Sequence, residues 1–356
     1  MVVRFFCLLA LGCVGLLPAA EPPAGVASQI QVNQANQANQ DSQANQDNAG
    51  DWEPLLQEGR TIYEQGRYRE ALPKLSEALQ RIDAQGVEGY SLVIALSDLG
   101  ACYQDLGRYV ESESHYRRAV REGEAIQGAR RLALAVALNN YGVLLNRLGR
   151  AKQATENFER SLEIRSELLG PRHTAVARQL HNYATLLVEN REFPRAEQLY
   201  SEAVEIWEHA GEPFAADLAA GLNGMASLYA RQERFSAAVP LSKRAVGLAE
   251  KSLGRRHPTF ALLLNNLATH YLGLEQYETA EPLISQALDI ARRTLGEDHP
   301  ETATILANYA DVLRHTERKR EARQMQARAR DILTRHVQRN LLQHSVDASQ
   351  LLRESK

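Results

Sequence analysis

Cysteine, methionine and tryptophan are scarce in this sequence, which has three, three and two of them among 356 residues. Cys7 and Cys13 lie within an N-terminal stretch that is predicted below to be removed. Cys102 would then have no partner for an intramolecular disulfide. A protein without disulfides has to be stabilised by packing alone.

Motifs that mark common reaction centres are absent as well. The sequence has no His-Glu-x-x-His, no Gly-rich phosphate loop, no Gly-x-Ser-x-Gly and no Cys-x-x-Cys. It therefore predicts a protein that is not an enzyme and that holds no metal and no cofactor. The formal net charge of −3 gives no general attraction to nucleic acid or to an anionic membrane. We expect no nucleic-acid partner.

The N-terminus has the pattern of an export signal. Arg4 precedes an apolar stretch over residues 5–17, which is too short to span a bilayer comfortably, and small residues follow. Residues 1–20 are predicted to be a signal peptide, which indicates a periplasmic or extracellular protein. An uncleaved anchor is one alternative. Another is lipidation at Cys13, because the Ala-Leu-Gly-Cys run loosely resembles a lipobox, and this is the one membrane link that the sequence suggests.

Residues 21–51 contain a run of asparagine, glutamine and alanine with almost no large apolar side chain. Such a composition cannot bury enough surface to fold, so the segment is predicted to be a disordered tether. Self-association of the polar run is the alternative.

A repeat of 42 residues decides the fold. Leucines mark it at Leu96, Leu138, Leu180, Leu222, Leu264 and Leu306, and Leu55 precedes them with one residue fewer. Four positions after these reference leucines the side chains are small: Gly59, Gly100, Gly142, Ala184, Ala226, Ala268 and Ala310. Small side chains recur 16 and 23 positions after, and large apolar ones seven positions after.

Apolar residues at offsets 0, 3 and 7 form one stripe on an α-helix, and the small columns allow two helices to approach closely. Each repeat is therefore predicted to be two helices joined by a tight turn, near Gly66, Gly107 and Gly149 in the early copies. A single pair cannot bury its apolar faces, whereas stacked pairs can. The fold class predicted over residues 52–338 is an all-α, right-handed superhelical solenoid of about seven helix-turn-helix repeats, with a groove.

The links between repeats carry a Leu-Gly-x-x-His pattern, with proline next in the last two. Glycine suits a left-handed helix end, and proline suits the first residue of a helix. The histidines, His173, His257 and His299, occur one per repeat, so we expect them to cap helices and not to cluster around a metal.

These features resemble the kinesin-light-chain type of tetratricopeptide repeat. The resemblance is carried by Leu264-Asn265-Asn266-Leu267-Ala268, Tyr271, Tyr277 to Glu281, Ala287-Leu288, and Leu295-Gly296 through His299-Pro300. It covers about residues 52–338. The chain departs from kinesin light chain in its export signal and in lacking a long N-terminal heptad segment, so no motor function is implied.

The resemblance implies that ligands contact the first helix of each repeat, one, two, five and nine places after the reference leucine. The first two places carry Asn139, Asn140, His181, Asn182, Asn223, Asn265, Asn266 and Asn308. Arg147 and Arg231 lie nine places after it, in a column with Asp105 and Glu189. Asparagine favours caps over helix interiors, so its recurrence needs a reason. Its amides either bind the backbone of a peptide or hold neighbouring helices in register.

The sequence thus predicts an adaptor that binds a protein or peptide in its groove. A structural component that assembles with copies of itself is the alternative, and the oligomeric state stays open. Cys102 and Trp207 are predicted to be buried core residues. A basic run over residues 314–330 is interpreted as the solvated face of the last repeat, with a docking patch for anionic lipid or nucleic acid as the alternative. Residues 339–356 are predicted to be a capping helix or a tail.

Overall fold

The computed structural model describes residues 50–64 and 67–335. The predicted signal peptide 1–20, the tether up to residue 49 and the tail 339–356 lie outside these residues. The described residues contain no strand and form fourteen α-helices. In chain order α1 to α14 are Glu53–Glu64, Tyr68–Ala84, Tyr90–Asp105, Tyr109–Gly123, Leu132–Arg147, Ala151–Leu169, Thr174–Glu189, Phe193–Ala210, Ala215–Arg231, Phe235–Ser252, Pro258–Gly273, Tyr277–Thr294, Pro300–His315 and 319–335.

The chain divides into two compact units between Glu192 and Phe193. The described part of the N-terminal unit contains α1 to α7, and that of the C-terminal unit contains α8 to α14. In both units odd-numbered helices are the first helices of repeats and even-numbered helices are the second. The predicted all-α array of helix pairs is confirmed: among the described residues, α1 to α6 form three pairs in the N-terminal unit and α9 to α14 form three pairs in the C-terminal unit, while α7 ends the first unit and α8 begins the second.

The small columns lie where the helices meet. All residues sixteen places after the reference leucines are buried: Ala71, Ser112, Ala154, Ala196, Ala238, Ala280 and Ala322. Two serines occur among the small residues 16 and 23 places after the reference leucines, and both hydroxyls form hydrogen bonds inside the core. Ser112 donates to the carbonyl of Gly100 at 2.8 Å, and Ser161 donates to the carbonyl of Ala135 at 2.6 Å. Small side chains therefore set the spacing of the helices, as the repeat pattern predicts.

The turn between a first and a second helix has a left-handed residue at one fixed position in all six such turns within residues 67–335. Gly107 and Gly149 have φ of 74° and 73° there. The later copies have the same conformation without glycine: their φ values are 63°, 60°, 59° and 62° at Arg191, Glu233, Glu275 and Glu317. A bond from the next N–H to a carbonyl five residues back closes the turn, as from Arg150 to Leu145 at 2.8 Å. This helix-end bond requires the left-handed residue whatever its side chain.

We expect this position to respond in opposite directions to two substitutions. Gly149→Ala should lower the free energy of unfolding by about 1–2 kcal/mol, because a left-handed residue with a Cβ costs that much. A Cβ at Gly149 would meet no atom within 4 Å, so the cost is conformational. Glu233→Gly should raise stability by about 0.5–1 kcal/mol, since the relief of strain exceeds the extra chain entropy of glycine. Urea unfolding measures both, and equal stabilities in the three chains would contradict the expectation.

The links between repeats have the predicted caps. The imidazole Nδ1 of His173 accepts from the N–H of Ala175 at 3.1 Å, that of His257 from Thr259 at 3.2 Å, and that of His299 from Glu301 at 3.2 Å. The preceding glycines are left-handed, with φ of 87°, 82° and 95° at Gly170, Gly254 and Gly296. Pro258 and Pro300 begin α11 and α13. The histidines are helix caps, as predicted.

Candidate binding surface on the first helices

The predicted ligand-facing residues all lie on first helices. Asn139, Asn140 and Arg147 are on α5 and His181 and Asn182 on α7, in the N-terminal unit; Asn223 and Arg231 are on α9, Asn265 and Asn266 on α11, and Asn308 on α13, in the C-terminal unit. Each helix turns its reference leucine and its small residue into the core, so the residues between them lie at the border of core and solvent. His181, Asn223 and Asn265 are buried, the other asparagines are half-buried, and both arginines are exposed.

In the C-terminal unit the asparagines bond to one another across repeats. The Nδ2 of Asn266 donates to the Oδ1 of Asn223 at 2.9 Å, and the Nδ2 of Asn308 donates to the Oδ1 of Asn265 at 3.0 Å. Asn265 also donates to Asn266, at 3.4 Å. This chain of amides links α9, α11 and α13. The contacts of these four residues fit the second of the two predicted roles, in which the asparagines hold neighbouring helices in register.

In the N-terminal unit the same columns keep unused hydrogen-bonding groups. The Nδ2 of Asn139 donates to the Oδ1 of Asn140 at 3.1 Å, whereas the buried Oδ1 of Asn139 has no hydrogen-bond partner among residues 50–64 and 67–335. Asn182 is half-buried and forms no hydrogen bond with any residue in the described ranges. Buried amide groups are normally paired. The surface of α5 and α7 therefore has donors and acceptors that a ligand can satisfy.

Charged and phenolic groups surround these amides along the N-terminal unit. The Tyr63 hydroxyl donates to the Asp105 carboxylate at 2.6 Å, and the Nδ2 of Asn146 donates to Glu189 at 2.5 Å. Burial, followed by the charge of Asp105, raises the pKa of Tyr63, so its hydroxyl remains a donor at neutral pH. Arg147 is exposed, and its charge acts on the Asp105 carboxylate. The surface thus has both signs of charge, as the sequence predicts.

Sequence reasoning did not single out Tyr63 or Asn146, which help to fix the carboxylates. A signal existed: each lies eight places after its reference leucine, and the carboxylate that it binds lies nine places after the next one. Both bonds join residues of neighbouring repeats that are 42 or 43 apart. Comparing adjacent columns at that spacing would have found both pairs.

Cys102 and Trp207 have structural roles. Cys102 is fully buried, its thiol donates to the carbonyl of Tyr68 at 3.2 Å, and burial raises its pKa to about 12. A thiol in that state is a poor nucleophile. Trp207 is fully buried against Gly221, where a Cβ would lie 2.7 Å from the indole ring. Both residues are core residues, as predicted.

Residues 50–64 and 67–335 contain no group of three or more histidine, cysteine or acidic side chains placed to hold a metal ion. In the same ranges no helix has the length and apolar character needed to cross a membrane.

Family models described as tetratricopeptide repeat match the chain twice, one at residues 54–121, 133–209 and 259–335 and the other at 218–259. BtubC (BKLC) from P. vanneervenii is similar in structure, with 23% identity over 69% of this chain and 93% of that chain and a TM-score of 0.52. The apo form of RapI has 17% identity over 80% and 100%, with a TM-score of 0.60. A Rap protein complexed with Competence and Sporulation Factor has 14% identity over 86% and 94%, with a TM-score of 0.53. No curated protein matches. At sequence identities this low, the similarity to these structures shows a shared fold only.

Proposed function

Because the chain belongs to the tetratricopeptide repeat family, we propose that it is a non-catalytic scaffold that binds a protein or peptide on its first helices. The observation that carries the proposal is the unused hydrogen-bonding capacity of Asn139, Asn140 and Asn182 on α5 and α7. Members of this family generally serve as interaction scaffolds.

The chemistry of this surface suits an extended backbone. A carboxamide offers two donors and two acceptor lone pairs, so one asparagine can pair with both the N–H and the C=O of a peptide unit. Such contacts place little demand on the ligand's side chains. Arg147 and the carboxylates of Asp105 and Glu189 favour a partner with charges of both signs. One similar structure, the Rap protein with Competence and Sporulation Factor, shows that a protein of this fold can hold a partner.

The proposal predicts that two asparagines of the N-terminal unit act in binding and not in folding. Asn140→Ala combined with Asn182→Ala should weaken partner capture about tenfold or more, because each satisfied hydrogen bond contributes about 0.5–1.5 kcal/mol. Urea unfolding should change by no more than about 0.5–1.5 kcal/mol, since neither residue holds a bond between repeats and Asn140→Ala removes only the bond that Asn139 donates to it. Asn266→Ala should instead destabilise the chain by about 1–3 kcal/mol, because it leaves the buried Oδ1 of Asn223 unpaired.

Capture is measured with the immobilised chain and an envelope extract of its own organism, because residues 1–20 predict export. Mass spectrometry identifies what is retained, and the affinity is then measured with the purified partner. Gln80→Ala is the matched control, because Gln80 is an exposed amide on a second helix of the same unit. Equal capture by the double variant and by the control would refute the proposed surface. Retention of the chain itself alone would favour self-assembly.

A further inference from the structure

The two ends of the repeat array differ from its interior at positions that pack between repeats. At each interior junction the second helix of one repeat meets the first helix of the next. Two positions that meet there lie 17 places after a reference leucine and three places after the following one. The Tyr141 hydroxyl donates to Glu113 between these positions at 3.1 Å in the N-terminal unit, and Tyr309 donates to Glu281 at 3.2 Å in the C-terminal unit. The same pairing therefore recurs in both units.

Both positions change character at the ends of the array. Interior copies have neutral or acidic residues at the first position and apolar residues or tyrosine at the second. The interior pairs are Leu72 and Leu99, Glu113 and Tyr141, Thr155 and Tyr183, Glu197 and Met225, Val239 and Leu267, and Glu281 and Tyr309. The last copy has Arg323 at the first position, and the first copy has Glu58 at the second. The two exceptions thus have opposite charges.

A second pair of junction positions changes in the same way. Gly224 lies two places after its reference leucine, and a Cβ there would be 2.6 Å from the ring of Tyr200, which lies 20 places after the preceding reference leucine. The ends of the array have Gln57 and Gln326 at these two positions, and no interior copy has glutamine at either. Since two carboxamides can bond to each other, the ends match at this pair as well.

The outer side of α14 is basic. Lys319, Arg323 and Arg330 are four and seven residues apart, so they lie on one side of the helix. All three are exposed, and none forms an ion pair within residues 50–64 and 67–335. The two carboxylates of α14, those of Glu321 and Asp331, pair with other arginines. The three cations therefore lack a counter-charge.

The outer side of α1 is acidic. Glu53, Gln57 and Glu58 are exposed there. The one cation in the sequence of this helix, Arg60, is directed to the next first helix, where it pairs with Asp98 at 2.5 Å. The two ends of the array therefore present opposite charges to solvent.

Polar residues on terminal repeats prevent apolar surfaces from associating without specificity. Like charges on both ends would serve that purpose and would also keep copies of the chain apart. Opposite charges at positions that meet inside the array do the reverse, because they attract in the register that the repeats already use. We propose that α14 of one copy packs against α1 of a second copy in the register of an interior junction.

The cations near Glu58 and Arg323 do not oppose this register. Lys74 pairs with Glu58 at 2.9 Å on the exposed side, and a carboxylate can accept from two cations. Arg67 would approach Arg323, but it already donates to Glu70 at 2.9 Å, which offsets its charge. Exposed ion pairs contribute little each, so the association is weak and depends on salt.

This contact is independent of the proposed scaffold function, because it includes none of the asparagines of the binding surface. It joins two different surfaces, so each added copy leaves a free end for another. Joined copies would present the binding surface of α5 and α7 repeatedly. A partner with several binding segments would then be held by avidity.

Sedimentation velocity of the full chain tests the contact. At about 50 mM sodium chloride, species larger than the monomer should grow in between about 10 μM and 1 mM protein, and about 500 mM salt should weaken the association constant about tenfold. Arg323→Glu and Glu58→Arg should each weaken it about tenfold or more, because like charges then meet. Combining the two changes in one chain should restore association. A mixture of the two single variants should also associate, because each then carries an end opposite in charge to an end of the other.

Two controls separate this contact from other effects. Arg293→Glu makes the same change of net charge at an exposed arginine without an ion pair on α12, and it should associate as the unaltered chain does. Asn140→Ala with Asn182→Ala should also leave association unchanged, so failure of the binding surface and failure of the end contact are distinguishable. Urea unfolding verifies that each variant is folded.

Three outcomes would overturn the proposal. The first is a monomer at every concentration at low salt, and if its binding to phosphatidylglycerol vesicles is lost with Arg323→Glu, α14 docks on a membrane instead. The second is association that survives both single reversals. The third is a folded double variant that does not regain association, because the two residues would then not meet.

Discussion

Gly142→Ala is expected to lower the free energy of unfolding by about 1–2 kcal/mol, although alanine is the better helix former by about 1 kcal/mol. A Cβ at Gly142 would lie 2.8 Å from two ring carbons of Phe158 and 3.3 Å from the carbonyl oxygen of Ala154. Phe158 is 1% exposed and cannot move aside without disturbing its neighbours, among them Tyr183, whose ring is stacked on it at 5.6 Å. Overpacking therefore outweighs helix propensity at this site.

The chain offers a control and a rescue for this substitution. Gly247 is also within a helix, α10, but a Cβ there would meet nothing within 4 Å, so Gly247→Ala should stabilise the chain by about 0.5–1 kcal/mol. The pair equivalent to Gly142 and Phe158 is Ala268 and Ile284 in a later repeat. Adding Phe158→Ile to Gly142→Ala should therefore cost less than the sum of the single changes. Urea unfolding of the four chains of this cycle measures the coupling. Stabilisation by Gly142→Ala itself would contradict the packing argument.

Much of the fold could be predicted because the same packing requirement recurs in all seven copies of the sequence repeat. A small residue at a helix contact leaves the same signal in every copy, as the column from Ala71 to Ala322 does. The left-handed turn was less visible. Glycine indicates it at Gly107 and Gly149, whereas Glu233 has the same backbone with a side chain that gives no hint of it. There the turn follows from the equivalence of repeats and not from the residue.

The candidate surface was predicted in position but not in pairing. The repeat pattern correctly locates the asparagines on first helices. However, the Asn266 side chain donates a hydrogen bond to Asn223, whereas the Asn182 side chain forms no hydrogen bond with a described residue. Both have the same place in the repeat, and the difference lies in side-chain geometry between repeats, which the column pattern does not specify.

His270 is a buried polar residue that should make stability depend on pH. Its ring is 4% exposed, and its Nδ1 lies 2.8 Å from the Oγ of Ser242, which is 1% exposed. Burial lowers the pKa of His270 from 6.5 to about 4. Above pH 6.5 the imidazole is neutral in both states and no penalty arises. Below pH 6.5, His270 becomes protonated in the unfolded chain but stays neutral in the folded chain. The free energy of unfolding therefore falls as the pH is lowered to about 4. Over this window the loss is about 3 kcal/mol.

A double substitution separates this loss from the titration of surface carboxylates. The pair equivalent to Ser242 and His270 in the next repeat is Ile284 and Val312, both fully buried. Ser242→Ile with His270→Val should therefore pack with little change in stability at pH 7.5 and lose about 3 kcal/mol less than the unaltered chain between pH 7 and 4. Urea unfolding at several pH values measures the difference between the two chains. Parallel curves would show that His270 takes up its proton in the folded state as readily as in the unfolded one, and that Ser242 and His270 are hydrated.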